Sequence, residues 1–179
     1  MSQERNVVLF IATSLDGYIA TEEERLDWLF EVEGEGDNGI SDFYKTVDTV
    51  LMGRKTYDWI INADSIDEYP YKDKHSFVFT RSTIDDNDHT HFINHDVEAF
   101  VRSLKRKQGK NIWLLGGGQL VTTCIEKDLV DEIIITVAPK IIGSGIPLFI
   151  KGKYKVNLSL EGVQTFNQFV ELHYKVRRD

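Results

Sequence analysis

Cysteine is almost absent: Cys124 is the one thiol in 179 residues, so no disulfide can form within the chain and a reducing compartment is expected. The apolar spacing Leu120, Val121, Cys124, Ile125 marks that thiol as a small buried filler. Proline is scarce too, at three residues, and no biased tract marks a linker, so residues 1–179 read as one globular domain. Long apolar runs are missing. The first, Val7 to Ala12, is far shorter than the roughly 20 residues of a membrane span, and no basic stretch precedes it, so a cytoplasmic protein without a signal peptide is expected. Positive charge is the minority: 21 Lys and Arg stand against 29 Asp and Glu, a formal net charge of −8. Such a field repels phosphate backbones and anionic headgroups, which excludes nucleic acid and membrane surfaces as expected partners. An anionic ligand would have to be held locally, by backbone N–H groups and a few well-placed cations.

What is present is a series of strand-like runs punctuated by glycine. Val7 to Thr13 is continuously apolar, the pattern of a strand buried on both faces. The Asp16-Gly17 turn follows, then an acidic stretch from Thr21 to Gly39 in which Leu26, Trp28, Leu29 and Phe30 offer a short helical face. Ile40, Phe43, Tyr44 and Val47 recur at helical spacing. Thr49 to Met52 reads as a strand stopped by Gly53, and Thr56 to Ile61 as a helix leading into a polar loop. Strands are expected at Ser76 to Thr80 and Thr90 to Ile93, then a helix from Val97 to Gln108 with Asp96 as N-cap and Gly109 at its end. Ile112 to Leu115 is another buried strand, followed directly by Gly116-Gly117-Gly118 and a further helix. Asp131 to Val137 is β-branched, and Leu158 to Phe166 and Phe169 to Val176 are joined by Asn167-Gln168 as in a two-residue hairpin. This order implies an α/β fold: a mixed, mainly parallel sheet with helices on both faces and a C-terminal antiparallel hairpin.

Three strand ends carry residues suited to phosphate. At Gly116, Gly117, Gly118, Gln119 and Leu120, glycine lets a ligand approach the backbone while the next helix start aims free N–H groups outward, as a pyrophosphate requires. The spacing is neither the dinucleotide fingerprint nor a P-loop. At Gly53, Arg54, Lys55 and Thr56, a guanidinium, an ammonium and a hydroxyl join another helix start. At Thr80, Arg81 and Ser82, two hydroxyls flank a guanidinium, which suits a phosphate monoester such as the 2′-phosphate that separates NADPH from NADH. In open α/β sheets ligands collect beyond the carboxyl ends of strands, where all three turns lie. His89, His91 and His95 cluster beside Asp85, Asp86 and Asp88, but a solvated turn accounts for them and no metal site is expected.

Val8 to Ala20, Gly53 to Tyr57, Thr80 to Ser82, Gly116 to Gly118 and Ile141 to Phe149 together resemble the motifs of dihydrofolate reductases. More closely they are similar to the reductase domain at the C-terminus of the bifunctional riboflavin-biosynthesis enzymes and its stand-alone relatives. The resemblance runs from about Val7 to Val176. It implies the dihydrofolate-reductase-like three-layer sandwich, with about eight strands, and an NADPH-dependent reductase acting on a small heterocycle of the pterin or ribosylaminopyrimidine class. By the same resemblance Ala12 and Ile19 flank the nicotinamide, Gly53 to Thr56 hold phosphate, Thr80 to Ser82 take the 2′-phosphate and Gly116 to Leu120 the pyrophosphate. The substrate would lie between the Asp16 loop and the helix carrying Phe43 and Tyr44. A homodimer is implied as well, and the long late strands offer an edge that invites pairing.

Reduction of a C=N or C=O bond also needs a proton, normally from a carboxyl in a partly apolar pocket. The acid that dihydrofolate reductases carry before the Gly-Arg motif falls here at Asp37, Gly39 or Asp42, and the spacing leaves all three open. Asp16 matches the riboflavin-type pattern, in which this aspartate faces the substrate. An Asp-Gly pair is equally a common turn whose carboxylate bonds neighbouring amides. Asp27 and Trp28 offer a polar hook and an aromatic wall. With the acid unplaced, a module that binds NADP(H) with little or no turnover is the alternative function.

Overall fold

The computed structural model describes residues 4–63 and 67–178. In chain order the elements are β1 (Val7–Thr13), β2 (Tyr18–Ala20), α1 (Asp27–Phe30), α2 (Ile40–Lys45), β3 (Val47–Gly53), α3 (Arg54–Ile61), β4 (His75–Phe79), β5 (Thr90–Ile93), α4 (Val97–Lys105), β6 (Asn111–Gly116), α5 (Gly118–Glu126), β7 (Glu132–Val137), β8 (Ile146–Pro147), β9 (Asn157–Phe166) and β10 (Phe169–Arg177). The main sheet has the order β5-β4-β3-β6-β1-β7-β10-β9. The six strands from β5 to β7 in that order are parallel, β10 alone runs against them, and β9 turns back beside β10 as the terminal antiparallel hairpin. Asn167, at a φ of 56°, makes the tight reversal between those two.

The parallel strands read as unbroken apolar runs because helices cover both faces. On one side α4 and α5 lay Leu104, Leu120, Val121, Cys124 and Ile125 over Val7, Leu9, Ile112 and Leu114. On the other α2 and α3 bring Phe43, Tyr57 and Ile60 against Val8, Val50, Met52, Val78 and Trp113. Each large side chain so buried stabilises the fold by about 1.5–3 kcal/mol as an upper bound. Phe43 stacks on Phe10 with ring centroids 4.0 Å apart and meets Trp113 edge-on at 5.4 Å, so this helix is clamped to the sheet by aromatics. A smaller cluster of Trp28, Ala138, Phe166 and Phe169 seats α1 near the end of β7. Burial pushes the Cys124 thiol up to about 12, which leaves it an unreactive filler.

Several features differ from the sequence pattern, among them the first residue of β3, Val47, which shares the helical spacing of Ile40, Phe43 and Tyr44 but opens the strand. The helix expected to reach Gln108 ends at Lys105, because the residues beyond it are held by the sheet. Lys110 donates its N–H to Asp48 at 2.8 Å, and Arg5 donates to the Lys110 carbonyl at 2.6 Å. Next, α3 starts at Arg54 rather than Thr56, which puts Arg54, Lys55 and Thr56 in its first turn. Finally, β2 and β8 form a separate two-stranded ribbon, too short to leave any periodicity in the sequence.

Candidate functional site

The connection leaving β3 runs through α3 to one face of the sheet, while that leaving the neighbouring strand β6 runs through α5 to the other. Two adjacent parallel strands whose following helices diverge leave a crevice at their carboxyl ends. Both helix starts open onto it. Gly53 is the N-cap of α3 and Gly117 that of α5, and no side chain caps either, so their first-turn N–H groups are left for a ligand. The two turns are close: a Cβ built on Gly53 would meet only Gly117 N, at 3.8 Å, and one on Gly117 would meet Thr56 Oγ1 at 3.3 Å. Gly116 has a φ of 131°, a conformation that disfavours any side chain, and the Gly116–Gly117 peptide is cis.

The cations lie at different distances from this centre. Arg54 folds back along α3 to pair with Asp58 at 2.7 Å and sits over the Phe92 ring, leaving its guanidinium half-exposed. Lys55 is exposed and reaches Glu24 at 3.4 Å. One strand further out, Gly53 is in register with Phe79, which places Thr80, Arg81 and Ser82 beside the α3 start. Thr80 is anchored by its N–H to Ile93 O at 2.9 Å and accepts from Ser82 N at 3.2 Å. Arg81 is exposed and makes no ion pair among the described residues. Gln119 is exposed, whereas the Leu120 side chain belongs to the core, so only its backbone is available to a ligand.

Ala12 and Ile19 are both half-buried on the far side of the crevice, on β1 and β2. The Asp16 loop between them is tightly organised. Ser14 N bonds Tyr18 O at 2.9 Å, Gly17 turns with a φ of 87°, and the Asp16 carboxylate accepts from Ile142 N at 3.2 Å and Gly143 N at 2.8 Å. Hydrogen bonding, by the Ser14 hydroxyl first and then by these amides, holds the Asp16 carboxyl below its ordinary range. Asp37 caps α2 from outside, accepting from Gly39 N at 3.0 Å and Ser41 N at 2.9 Å, and its carboxyl is likewise held low, mainly by Ser41. The Asp42 carboxylate is 88% exposed and pairs with Lys45 at 3.0 Å. None of these three carboxylates has the partly apolar surroundings expected of the proton donor. Phe43 is turned into the core against Phe10, and Trp28 is buried with Ala138, Phe166 and Phe169.

Two residues with chemical potential were not singled out by the sequence. Thr136 on β7 stands opposite Ala12 on one side and Glu171 of β10 on the other. Burial raises the Glu171 carboxyl, an effect partly offset by the Thr136 hydroxyl and by His173. Only the pairing of strands far apart in the chain reveals this row. The three clustered histidines are dispersed: His91 Nδ1 contacts Asp86 at 2.7 Å, His89 stacks on Tyr69 and His95 lies against Phe100. Among the described residues no group of three or more His, Cys, Asp or Glu could hold a metal, and no helix is long and apolar enough to cross a membrane. A shallow hollow of about 290 Å³ lined by Tyr57, Ile61, Tyr69 and His89 lies elsewhere, at the end of α3.

The RibD C-terminal domain family model matches residues 5–172. The chain is 50% identical over 172 residues to the uncharacterized protein YwjB of Bacillus subtilis (strain 168), covering 96% of this chain and 98% of that one. A Shewanella sp. PV-4 structure whose name places it in riboflavin biosynthesis superposes with a TM-score of 0.87 at 29% identity, over 97% of this chain and 99% of that chain. Dihydrofolate reductase from Enterococcus faecalis, complexed with NADP(H) and RAB-propyl, has the same fold: TM-score 0.66 at 15% identity, over 97% of both chains.

Proposed function

This chain belongs to the RibD C-terminal domain family, and from that premise we propose that it is an NADPH-dependent reductase of small heterocycles of the pterin or ribosylaminopyrimidine class. The observation that carries this reading is the pair of uncapped helix starts at Gly53 and Gly117, facing each other across the β3/β6 crevice with Arg81 one strand away. The cradle fits a dinucleotide: a Cβ on Gly53 would meet nothing nearer than Gly117 N at 3.8 Å, and Arg54, Lys55 and Thr56 bring a guanidinium, an ammonium and a hydroxyl to the same helix start, the two cations shared with Asp58 and Glu24. Gly116 to Leu120 would hold the pyrophosphate through main-chain N–H groups, and Gly53, Arg54, Lys55 and Thr56 a neighbouring phosphate. Thr80, Arg81 and Ser82 would take the 2′-phosphate. When bound, NADPH supplies the hydride.

Ala12 and Ile19 then border the nicotinamide, and the substrate lies over Ala12 between the Asp16 loop and α2. Asp16 keeps that loop in place through the amides of Ile142 and Gly143. Trp28 and the Phe43 helix wall the pocket, and Asp42 at the start of α2 remains on its solvent side. A negatively charged protein binds an anionic cofactor here because the donors are local and preorganised while the net charge is spread over the surface.

Calorimetry tests the reading. NADPH binds the wild type, and Arg81→Ala weakens NADPH by about ten- to a hundredfold, the worth of a charge-assisted phosphate contact of about 1.5–3 kcal/mol, while leaving NADH affinity unchanged. No affinity for NADPH or NADP+ would remove the proposal. The second reading, a binding module without turnover, is favoured by the ionised, fully engaged state of Asp16 and Asp37. It predicts NADPH affinity with no consumption of NADPH across pterins and pyrimidines.

Self-association is part of the proposal. The edge strand β9 exposes Leu160 and Val163 at 58% each, beside Leu158 at 39%, and an apolar edge of that length invites a second copy. The wild type is expected to elute from gel filtration as a dimer and Val163→Lys as a monomer. A wild type of monomer mass would overturn the assignment.

A further inference from the structure

Residues facing one another on paired strands point to the same side of a sheet. Ala12 of β1 is opposite Thr136 of β7, and Thr136 is opposite Glu171 of β10, so the three form one row across three strands. The row continues the face of Phe10 and Ile134, which pack under α2. Phe169, two residues before Glu171 on the same side of β10, packs with Trp28 and Ala138. Trp28 is 7% exposed, and its indole N–H has no acceptor among the described residues. Buried donors are nearly always paired, so an orphan N–H beside a candidate pocket points to an acceptor on a ligand.

We propose that Glu171 is the proton-donating residue of this site, steadied by Thr136 beside the nicotinamide seat at Ala12, with Trp28 on the flank of the same substrate pocket. The inference rests on the reductase reading above. Thr136 Oγ1 lies 3.4 Å from Glu171 Oε2, and burial of the carboxyl favours its protonated form. The charged groups around it are otherwise engaged. His173, two residues further along the same face, pairs with Glu132 at 2.8 Å. On the covering segments Asp27 pairs with Arg25 at 2.7 Å, Glu31 with Lys140 at 2.7 Å and Asp42 with Lys45 at 3.0 Å. The register partner of Glu171 on β9 is the neutral Gln164.

The step balances without a further reagent. As hydride reaches the carbon of a C=N or C=O bond, the π pair moves to the nitrogen or oxygen, which takes the Glu171 proton. The substrate gains two electrons, the dinucleotide loses two, and the carboxylate recovers its proton from water.

The test reads the carboxyl itself. Glutamate carboxyls are labelled with carbon-13, Glu171 is assigned by its loss in Glu171→Gln, and the protein is titrated alone, with NADPH and with NADP+. The oxidised ring is a cation and the reduced ring is neutral. A cation within about 6 Å lowers a carboxyl midpoint by about one to three units, so Glu171 is expected to titrate lower with NADP+ than with NADPH. Equal Glu171 midpoints with both nucleotides bound overturn the proposal. Failure of either nucleotide to bind removes the reductase reading instead. On any pterin or pyrimidine that the wild type reduces, Glu171→Gln should keep NADPH affinity and lose about a hundredfold or more in kcat. The fall in rate above the Glu171 midpoint should vanish with it, and an unchanged rate and pH profile would refute the donor role.

Discussion

Asp131→Ala should unfold at a midpoint about 3–5 kcal/mol less stable than the wild type, the usual loss when a buried ion pair is broken from one side. One carboxylate here accepts four hydrogen bonds from three donor groups. It accepts from Lys105 Nζ at 2.9 and 2.7 Å, from Arg178 Nη1 at 2.7 Å and from the N–H of Val7 at 2.7 Å. Lys105 is 7% exposed, and without Asp131 its ammonium keeps only the Leu129 carbonyl, at 3.5 Å. The Val7 amide, at the start of the central strand β1, loses its acceptor too. Asp131→Asn keeps an oxygen for Val7 and should lose less. Lys105→Met combined with Asp131→Leu removes both charges and should recover the part of the loss that comes from stranding the Lys105 ammonium, while the Val7 amide still lacks its acceptor. Urea denaturation of the single and double variants measures this, and a midpoint for Asp131→Ala within 1 kcal/mol of the wild type would contradict it (about 1 kcal/mol being an ordinary single-substitution effect). The contact lies at the amino ends of the strands, so NADPH affinity of the folded variant should be unchanged.

The contrast between the two ends of the sheet explains what could be read from the sequence. Strands β1, β3, β4, β6 and β7 are visible as apolar runs because each is covered on both faces, and the glycines at the carboxyl ends of β3 and β6 mark the turns that meet in the crevice. Burial of this kind is recorded in composition. Long-range polar pairing is not. The partners of Asp16 are amides 126 and 127 residues away, so its role as a loop clamp and its role as an acid look alike in the sequence. Glu171 reads only as a polar position in an alternating strand until β10 pairs with β7 and brings it to Thr136, 35 residues distant. Phe43 has helical spacing whichever way the helix is turned, and stacking on Phe10 settles that it faces the sheet. The ribbon of β2 and β8 is made by a tertiary contact between two short segments, with no repeat to announce it.

Gly118→Ala is expected to damage folding and ligand binding together, whereas Gly117→Ala should damage binding with little change in fold. The reason lies in what each added methyl would strike. On Gly118 a Cβ would stand 2.6 Å from Pro147 O and 3.5 Å from Leu148 O, both main-chain atoms that cannot rotate aside. Pro147 pairs with Tyr18, and Leu148 N bonds Gly17 O at 3.0 Å, so pushing β8 away also shifts the loop that carries Asp16. Overpacking of this kind costs about 1–3 kcal/mol, and the displaced α5 start should weaken NADPH by about a hundredfold on the proposed reading, some 2.7 kcal/mol. On Gly117 the nearest atom is Thr56 Oγ1 at 3.3 Å, the end of a side chain that can turn. On the proposed reading that methyl, added at the N-cap of α5, crowds the pyrophosphate held by the α5 start. Urea melts and NADPH calorimetry on the two variants separate these effects. Gly118→Ala with wild-type stability would show that the β8 contact is loose, and Gly117→Ala with wild-type affinity would show that the phosphate does not sit against the α5 start.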